Sequence, residues 1–403
     1  MIGSDVYEDH LVPEFEIRRR LSRLQETLRA RDRQAVLIAQ NVDLYYFTGC
    51  LQNGMLYVPA DAPPLFMVRR SLERAWRESS VDRIVGLNGV KDVSRIIESE
   101  YARLPQNLGL ELDALPASLY QRISGQFGSP ELFDASPLIR KIRAVKSAFE
   151  IELIKKAGEL GRLLNDAVPR FLREGVREIE LAGKLIDYAM SIGHLDNIRS
   201  RAFNSEMFSW HVISGQSGGL IGHLDAPFSG QGLTPSFPAG AGFRRICKGD
   251  PVLVDFGTCY DGYIADQTRM FALGRPDTLF LDAYRALQDI EAAIIEQAAP
   301  GKPCDDFYEV AINKARELGV QDAFLGTAES RIKFVGHGVG LEIDEFPFLA
   351  QGHSYPLETG HVFALELKIV YPDRGAVGFE NMFVVTETGV EKVTPADETF
   401  RII

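Results

Sequence analysis

Two segments of this chain put acids where a buried strand should be apolar. Residues 251–271 read PVLVDFGTCYDGYIADQTRMF: an apolar run carrying Asp255, a Tyr260-Asp261-Gly262 turn signal, and a half-apolar run carrying Asp266. Asp-Gly between such runs predicts a hairpin. If Asp261-Gly262 is the turn, Asp255 lies opposite Thr268 and Asp266 opposite Gly257; if Tyr260-Asp261 is the turn, the two acids face each other. Side chains alternate along a strand, so both registers put the two carboxylates on one face. Their Cβ atoms would stand about 5 Å apart if opposite and roughly 7–8 Å apart if diagonal. Buried carboxylates that close repel unless a cation sits between them.

The second segment, residues 361–387, reads HVFALELKIVYPDRGAVGFENMFVVTE. Its turn, Pro372-Asp373-Arg374-Gly375, is flanked by apolar runs, and a hairpin centred on Asp373 sets Glu366 across from Glu380. The two segments echo each other as strand, turn and acidic strand. Two divalent cations would balance four carboxylates, and hard oxygen ligands suit such ions. A fifth candidate ligand, His337, lies in GHGVGLEIDEFP, residues 336–347. The surrounding glycines let the backbone fold tightly and hold the imidazole close to its target.

The rest of the chain narrows the setting. Its 403 residues exceed what one core usually organises, so two domains are expected. The first third alternates strand-like and helix-like runs, which predicts an α/β domain over residues 1–145. Residues 146–403 have long helical patterns at 146–172 and 177–193, a Gly/Pro/Ser-rich stretch at 214–242, two helices near 278–298 and 303–318, and a strand-rich close. That grouping predicts an α+β domain with antiparallel strands. Net charge is −12 with no basic run beyond Arg18-Arg19-Arg20, which argues against nucleic acid or an anionic membrane as partner. No apolar stretch is long enough to span a bilayer, and the first residues lack the apolar core of a secretory signal. Cys50, Cys247, Cys259 and Cys304 show no CxxC spacing, so neither a thiolate zinc site nor a disulfide framework is expected. A reducing cytoplasm fits these features.

Asp255, Asp266, His337, Glu366 and Glu380, in this order, resemble the ligand set of the pita-bread metallohydrolases: aminopeptidase P, prolidase and the creatinase group. The matching blocks are VLVDFG, GYIADQTRMF, GHGVGLEIDEFP, FALELK and GAVGFENMFVVTE. KSAFEIELIKKA looks like the helix that starts the pita-bread domain, and residues 1–145 look like the creatinase-type N-terminal domain. The resemblance spans nearly the whole chain. It implies a homodimer holding two divalent ions of manganese, cobalt, zinc or iron. Asp255 would bind one ion, Asp266 and Glu380 would bridge, and His337 and Glu366 would complete the other. A hydroxide bridging the ions would attack the amide bond of a small Xaa-Pro peptide, with Glu366 as proton shuttle.

Three departures separate the chain from that pattern. The peptidases carry a second histidine in a VHE triplet, where this chain reads IDE with Asp344. They also carry a histidine upstream of the first aspartate, where an ungapped count reaches Pro238. Leu367 stands where the family has proline after the glutamate. Asp344 is therefore a candidate acid/base or a turn cap, and His211 and His223 are candidates to replace the missing histidines in space. Two rival readings follow: a non-peptidase member of the fold acting on C–N bonds of a small metabolite as hydrolase or lyase, and a non-catalytic binding protein. Tyr45 and Tyr46 read as core aromatics that a partner subunit could bring to the site. Arg199 and Arg201 read as solvated loop residues that could instead bind a substrate carboxylate. His361 reads as structural, and His10 and His353 as surface residues.

Overall fold

The computed structural model describes residues 8–206, 210–222, 224, 226–328 and 330–403. The chain divides into two compact units, Met1–Arg143 and Ala144–Ile403. In the first unit, six strands form one sheet: β1 (Ala35–Ile38), β2 (Gly54–Pro59), β3 (Leu65–Val68), β4 (Ile84–Gly86), β5 (Asn107–Leu110) and β6 (Glu131–Asp134), in spatial order β4-β3-β2-β1-β5-β6. The β1 run AVLI is buried at every position, as a continuous apolar strand in mid-sheet must be. The helix Glu14–Ala30 buries Ile17, Leu21, Leu24 and Leu28, the spacing of one helical face.

The second unit opens with the helix Ala148–Phe171. Its start is set by a capping box: the Ser147 hydroxyl accepts from the Glu150 amide while the Glu150 carboxylate accepts from the Ser147 amide. Among the described residues nine strands follow: β7 (Trp210–Ser214), β8 (Val252–Tyr260), β9 (Tyr263–Ala272), β10 (Phe334–Gly338), β11 (Glu345–Ala350), β12 (Val362–Tyr371), β13 (Gly375–Val385), β14 (Val390–Lys392) and β15 (Arg401–Ile402). They form a four-stranded sheet, β15-β9-β8-β7, and a five-stranded sheet, β11-β10-β12-β13-β14. Pairing is antiparallel throughout except between β9 and β15.

Alternation decides what each face holds. On β8, Val252, Val254 and Phe256 pack with Leu164, Val168, Leu181 and Leu185 of the helices Ala148–Phe171 and Glu178–Ser191. On β12 and β13, Leu365, Leu367, Ile369, Val377 and Phe379 pack with Leu287, Ile290 and Phe307 of the helices Thr278–Gln297 and Cys304–Glu317. Fully burying each such side chain contributes about 1.5–3 kcal/mol. The opposite parity on all four strands, including Asp255, Asp266, Glu366 and Glu380, turns to the space between the two sheets. The helices therefore anchor the apolar faces, and the acids are left facing one another.

Candidate metal centre

The first hairpin takes the register with Asp261-Gly262 at its turn: Asp255 pairs with Thr268, Gly257 with Asp266, and Tyr260 with Tyr263. Asp261 and Gly262 have φ of 48° and 85°. A two-residue turn with both central φ positive matches the right-handed twist of the strands, and that settles the register against direct opposition of the acids. In the second hairpin Glu366 pairs directly with Glu380. The two hairpins meet across the gap, where the Thr268 hydroxyl donates to Glu380 Oε2 at 2.7 Å.

His337 enters from β10, paired with Ala364 of β12. The glycines beside it allow close approach of neighbouring strands, rather than a tight fold of their own segment. A Cβ at Gly336 would lie 2.2 Å from the Ala364 carbonyl oxygen, and one at Gly338 would lie 2.2 Å from that of Phe346. His337 Nδ1 stands 2.9 Å from the Ile343 carbonyl oxygen, which can only accept, so Nδ1 carries the proton. Nε2 then keeps its lone pair on the side of Asp266, whose Oδ2 is 4.0 Å away. Fixing a ligand tautomer from behind in this way is typical of metal-binding histidines.

The five residues fall into two groups, Asp266–His337–Glu380 and Asp255–Glu366–Glu380, each offering one ligand atom per residue with all atoms within 4.8 Å. Burial raises the pKa of Asp266 well above its ordinary value, and Glu380, Asp255 and Glu366 add to the rise. Burial also pushes Glu380 up, to about 7, against the pull of Lys368. Burial acts on Asp255 in the same sense, but Lys368 and His211 outweigh it and hold Asp255 well below the usual carboxylate range. For His337, burial would lower the pKa; Asp344, Glu366 and Glu380 reverse that and raise it. Without metal, Asp255 is therefore held ionised while Asp266 and Glu380 favour the protonated form.

Lys368 is the member of this cluster that the motif reading missed. It is buried, and its Nζ donates to Thr268 Oγ1 at 2.6 Å and to Asp255 Oδ2 and Glu380 Oε2, each at 3.3 Å. Glu366 Oε1 lies 3.4 Å from it. Burial would lower the lysine's pKa; Asp255, Glu380, Glu366 and Asp266 outweigh burial and raise it. The signal was present in FALELKIV, because positions two apart on a strand share a face and Lys368 is two from Glu366.

The other candidates separate. His211 lies directly across from Asp255 on β7, with Nδ1 3.7 Å from Asp255 Oδ2. Asp344 is half exposed and sits 3.6 Å from His337 Nδ1, on the far side of the ring from Asp266. It does not join the acid cluster. His223 lies outside the described residues. Arg201 is not the solvated loop residue expected: its side chain is buried and faces Glu342 at 3.9 Å. Arg199 is half-buried, and its carbonyl accepts from the Ile343 amide, which ties residues 199–201 to the loop after His337. His361 is buried with its Nδ1 accepting from the Glu358 amide, a structural role. Tyr46 is buried in the first unit beneath the Arg20 guanidinium, while Tyr45 is half-buried.

A second layer fixes the strands beneath. Arg269 Nη1 donates to the Glu380 and Thr268 carbonyls at 2.6 and 2.9 Å, and Nη2 donates to Asn381 Oδ1 at 2.7 Å. Fit to a metal can be tested on Glu380. Its Oε1 is buried and has no hydrogen-bond partner among the described residues. Such an oxygen costs free energy unless something absent from the protein satisfies it. A divalent cation does so, and a set of carboxylates and one imidazole suits such an ion.

Known proteins resemble this chain over nearly its whole length. The model of metallopeptidase family M24 matches residues 152–387, and that of the creatinase/prolidase N-terminal domain matches residues 20–145. A Xaa-Pro dipeptidase of Pyrococcus furiosus is 27% identical over 384 residues, covering 94% of this chain and 99% of that protein. The crystal structure of a prolidase from Pyrococcus horikoshii OT3 superposes with a TM-score of 0.79 at 24% identity, over 94% of this chain and 99% of that one. A Xaa-Pro dipeptidase from Bacillus anthracis gives a TM-score of 0.81 at 24% identity, over 96% and 100%.

Proposed function

The chain belongs to metallopeptidase family M24, and from that premise we propose that it is a dinuclear metal-dependent hydrolase of Xaa-Pro dipeptides or short Xaa-Pro peptides. The observation that carries the reading is the convergence of four carboxylates and one imidazole from separate strands into one largely enclosed cluster. In this reading Asp255, Asp266, His337, Glu366 and Glu380 would hold the ions, with Glu380 common to both ligand groups. When bound, such ions supply Lewis-acid polarisation of the scissile carbonyl and an acidified water as nucleophile. The protein's own groups do the rest. Glu366 has the most exposed side chain of the five, at 17%, and is placed to move a proton to the leaving amine. The carbonyl of Ile343 holds His337 in one tautomer, and Asp344 backs the same ring, a supporting role rather than proton transfer. His211 and Lys368 orient Asp255. Manganese, a homodimer, a cytoplasmic location and a domain boundary at 145/146 belong to the same proposal.

One observation favours a second reading. Asp344 puts a negative side chain where the peptidases have the VHE histidine, and Pro238 falls where they have another. That pattern suits a member of the fold acting on the C–N bond of a small non-peptide metabolite. The test is to load purified protein with manganese, cobalt or zinc, verify the metal content, and assay Xaa-Pro dipeptides, longer Xaa-Pro peptides and non-prolyl dipeptides. Cleavage confined to Xaa-Pro bonds, lost by about 10²–10⁴-fold in Glu366→Gln, is the expected result. No cleavage of any Xaa-Pro peptide by verified metal-loaded protein overturns the peptidase reading and leaves the metabolite reading.

A further inference from the structure

We propose that Lys368 is a tethered cation built into the centre: a positioning residue that keeps Asp255, Glu366 and Glu380 assembled when no metal is bound. Its ammonium is within 3.4 Å of one oxygen on each of these three acids. The same three residues form one of the two candidate ligand groups. The fold makes room for it. Lys368 pairs across β12–β13 with Gly378, and a Cβ at Gly378 would lie 3.0 Å from Lys368 Cδ, 2.7 Å from Thr268 Cγ2 and 2.8 Å from Leu253 Cδ1. The glycine is therefore the space through which the lysine stem reaches the acids. Thr268 completes the device. Its hydroxyl oxygen lies 2.6 Å from Nζ and 2.7 Å from Glu380 Oε2, so the threonine of one sheet bridges the ammonium and a carboxylate of the other.

The physical consequence concerns the metal-free protein. Four carboxyl groups crowded into this space repel when ionised, so without a cation they must either take up protons or part. One buried ammonium touching three of them offsets part of that repulsion. The metal-free chain then folds with ligands already in place, and an arriving ion need not order them. The inference rests on reading the cluster as a metal centre, but not on any substrate.

The experiment compares wild type, Lys368→Met and Thr268→Val, each stripped with chelator and then titrated with Mn²⁺. Thermal unfolding and calorimetric Mn²⁺ binding are the readouts. The Lys368→Met protein keeps the length of the side chain and loses its charge. Its metal-free midpoint is expected to fall by roughly 10 °C, and saturating Mn²⁺ is expected to restore most of the loss. Thr268→Val keeps the charge and removes one anchor, so the same pattern is expected at smaller size; it decides the matter if Lys368→Met does not fold. Equal destabilisation of the metal-free and Mn²⁺-loaded forms would mean that Lys368 only packs, and overturns the proposal. An unchanged metal-free midpoint overturns it as well. If wild type takes up no Mn²⁺, manganese is excluded from the proposed function, while the metal-free midpoints still decide the role of Lys368.

Discussion

Glu291 gives the sharpest quantitative handle on the ground beneath the centre. It lies on the helix Thr278–Gln297, buried, and Asn381 Nδ2 donates to its two carboxylate oxygens at 3.0 and 3.1 Å. Burial pushes its pKa from 4.5 up to about 7; the Asn381 bond opposes the rise and Glu398 adds to it. The fold thus favours the protonated acid. The corresponding stability is fully present below pH 4.5 and is lost as pH rises through 7. A rise of this size is worth about 3 kcal/mol above pH 7, of which about 1 kcal/mol is already lost at pH 5. Glu291→Gln keeps the shape and cannot ionise. Relative to wild type, the variant should therefore gain about 2 kcal/mol more at pH 8 than at pH 5. The chain has two tryptophans, Trp76 in the first unit and Trp210 in the second. Trp76 is exposed, so a Trp76→Phe background leaves Trp210 to report the second unit alone. Urea unfolding of chelated protein, followed by fluorescence at the two pH values, makes the measurement. Other titrating acids cancel in the difference between variant and parent. If that difference is the same at both pH values, the linkage assigned to Glu291 is wrong.

Two further outcomes test the neighbouring structure. Burial, and then the charge of Lys146, push buried His361 down to about 4, so it is neutral in the fold. Stability from this residue is present above pH 6.5 and lost as pH falls toward 4, about 3 kcal/mol over the window, and His361→Gln should flatten that part of an acid-unfolding profile. A Cβ at Gly338 would meet the backbone of Phe346 at 2.2 and 2.3 Å, so Gly338→Ala must part β10 from β11 beside His337. It should cost roughly 3 kcal/mol and weaken Mn²⁺ uptake seen by calorimetry, whereas Gly183→Ala, with open space around it, should do neither.

What could be read in the sequence were local features with short-range causes. Asp-Gly between apolar runs marked the first hairpin, and the same alternation that buried Val252, Val254 and Phe256 against helices put Asp255 on the other face. The helical patterns at 146–172 and 177–193 are likewise written in adjacent residues. Glu366 could be set against Glu380 because one turn connects their strands. Tertiary structure decided everything that depends on distant segments meeting. It brought His337 to the hairpins and set its proton on Nδ1 through Ile343. It turned Asp344 to the outer side of that ring and buried Arg201 against Glu342. It also drew Lys368 into the acids, because Gly378 on the facing strand leaves the room and Thr268 on the other sheet supplies the anchor. Hairpin periodicity assigns a side chain to a face; which charges share that face's space is set only when the two sheets pack and exclude water.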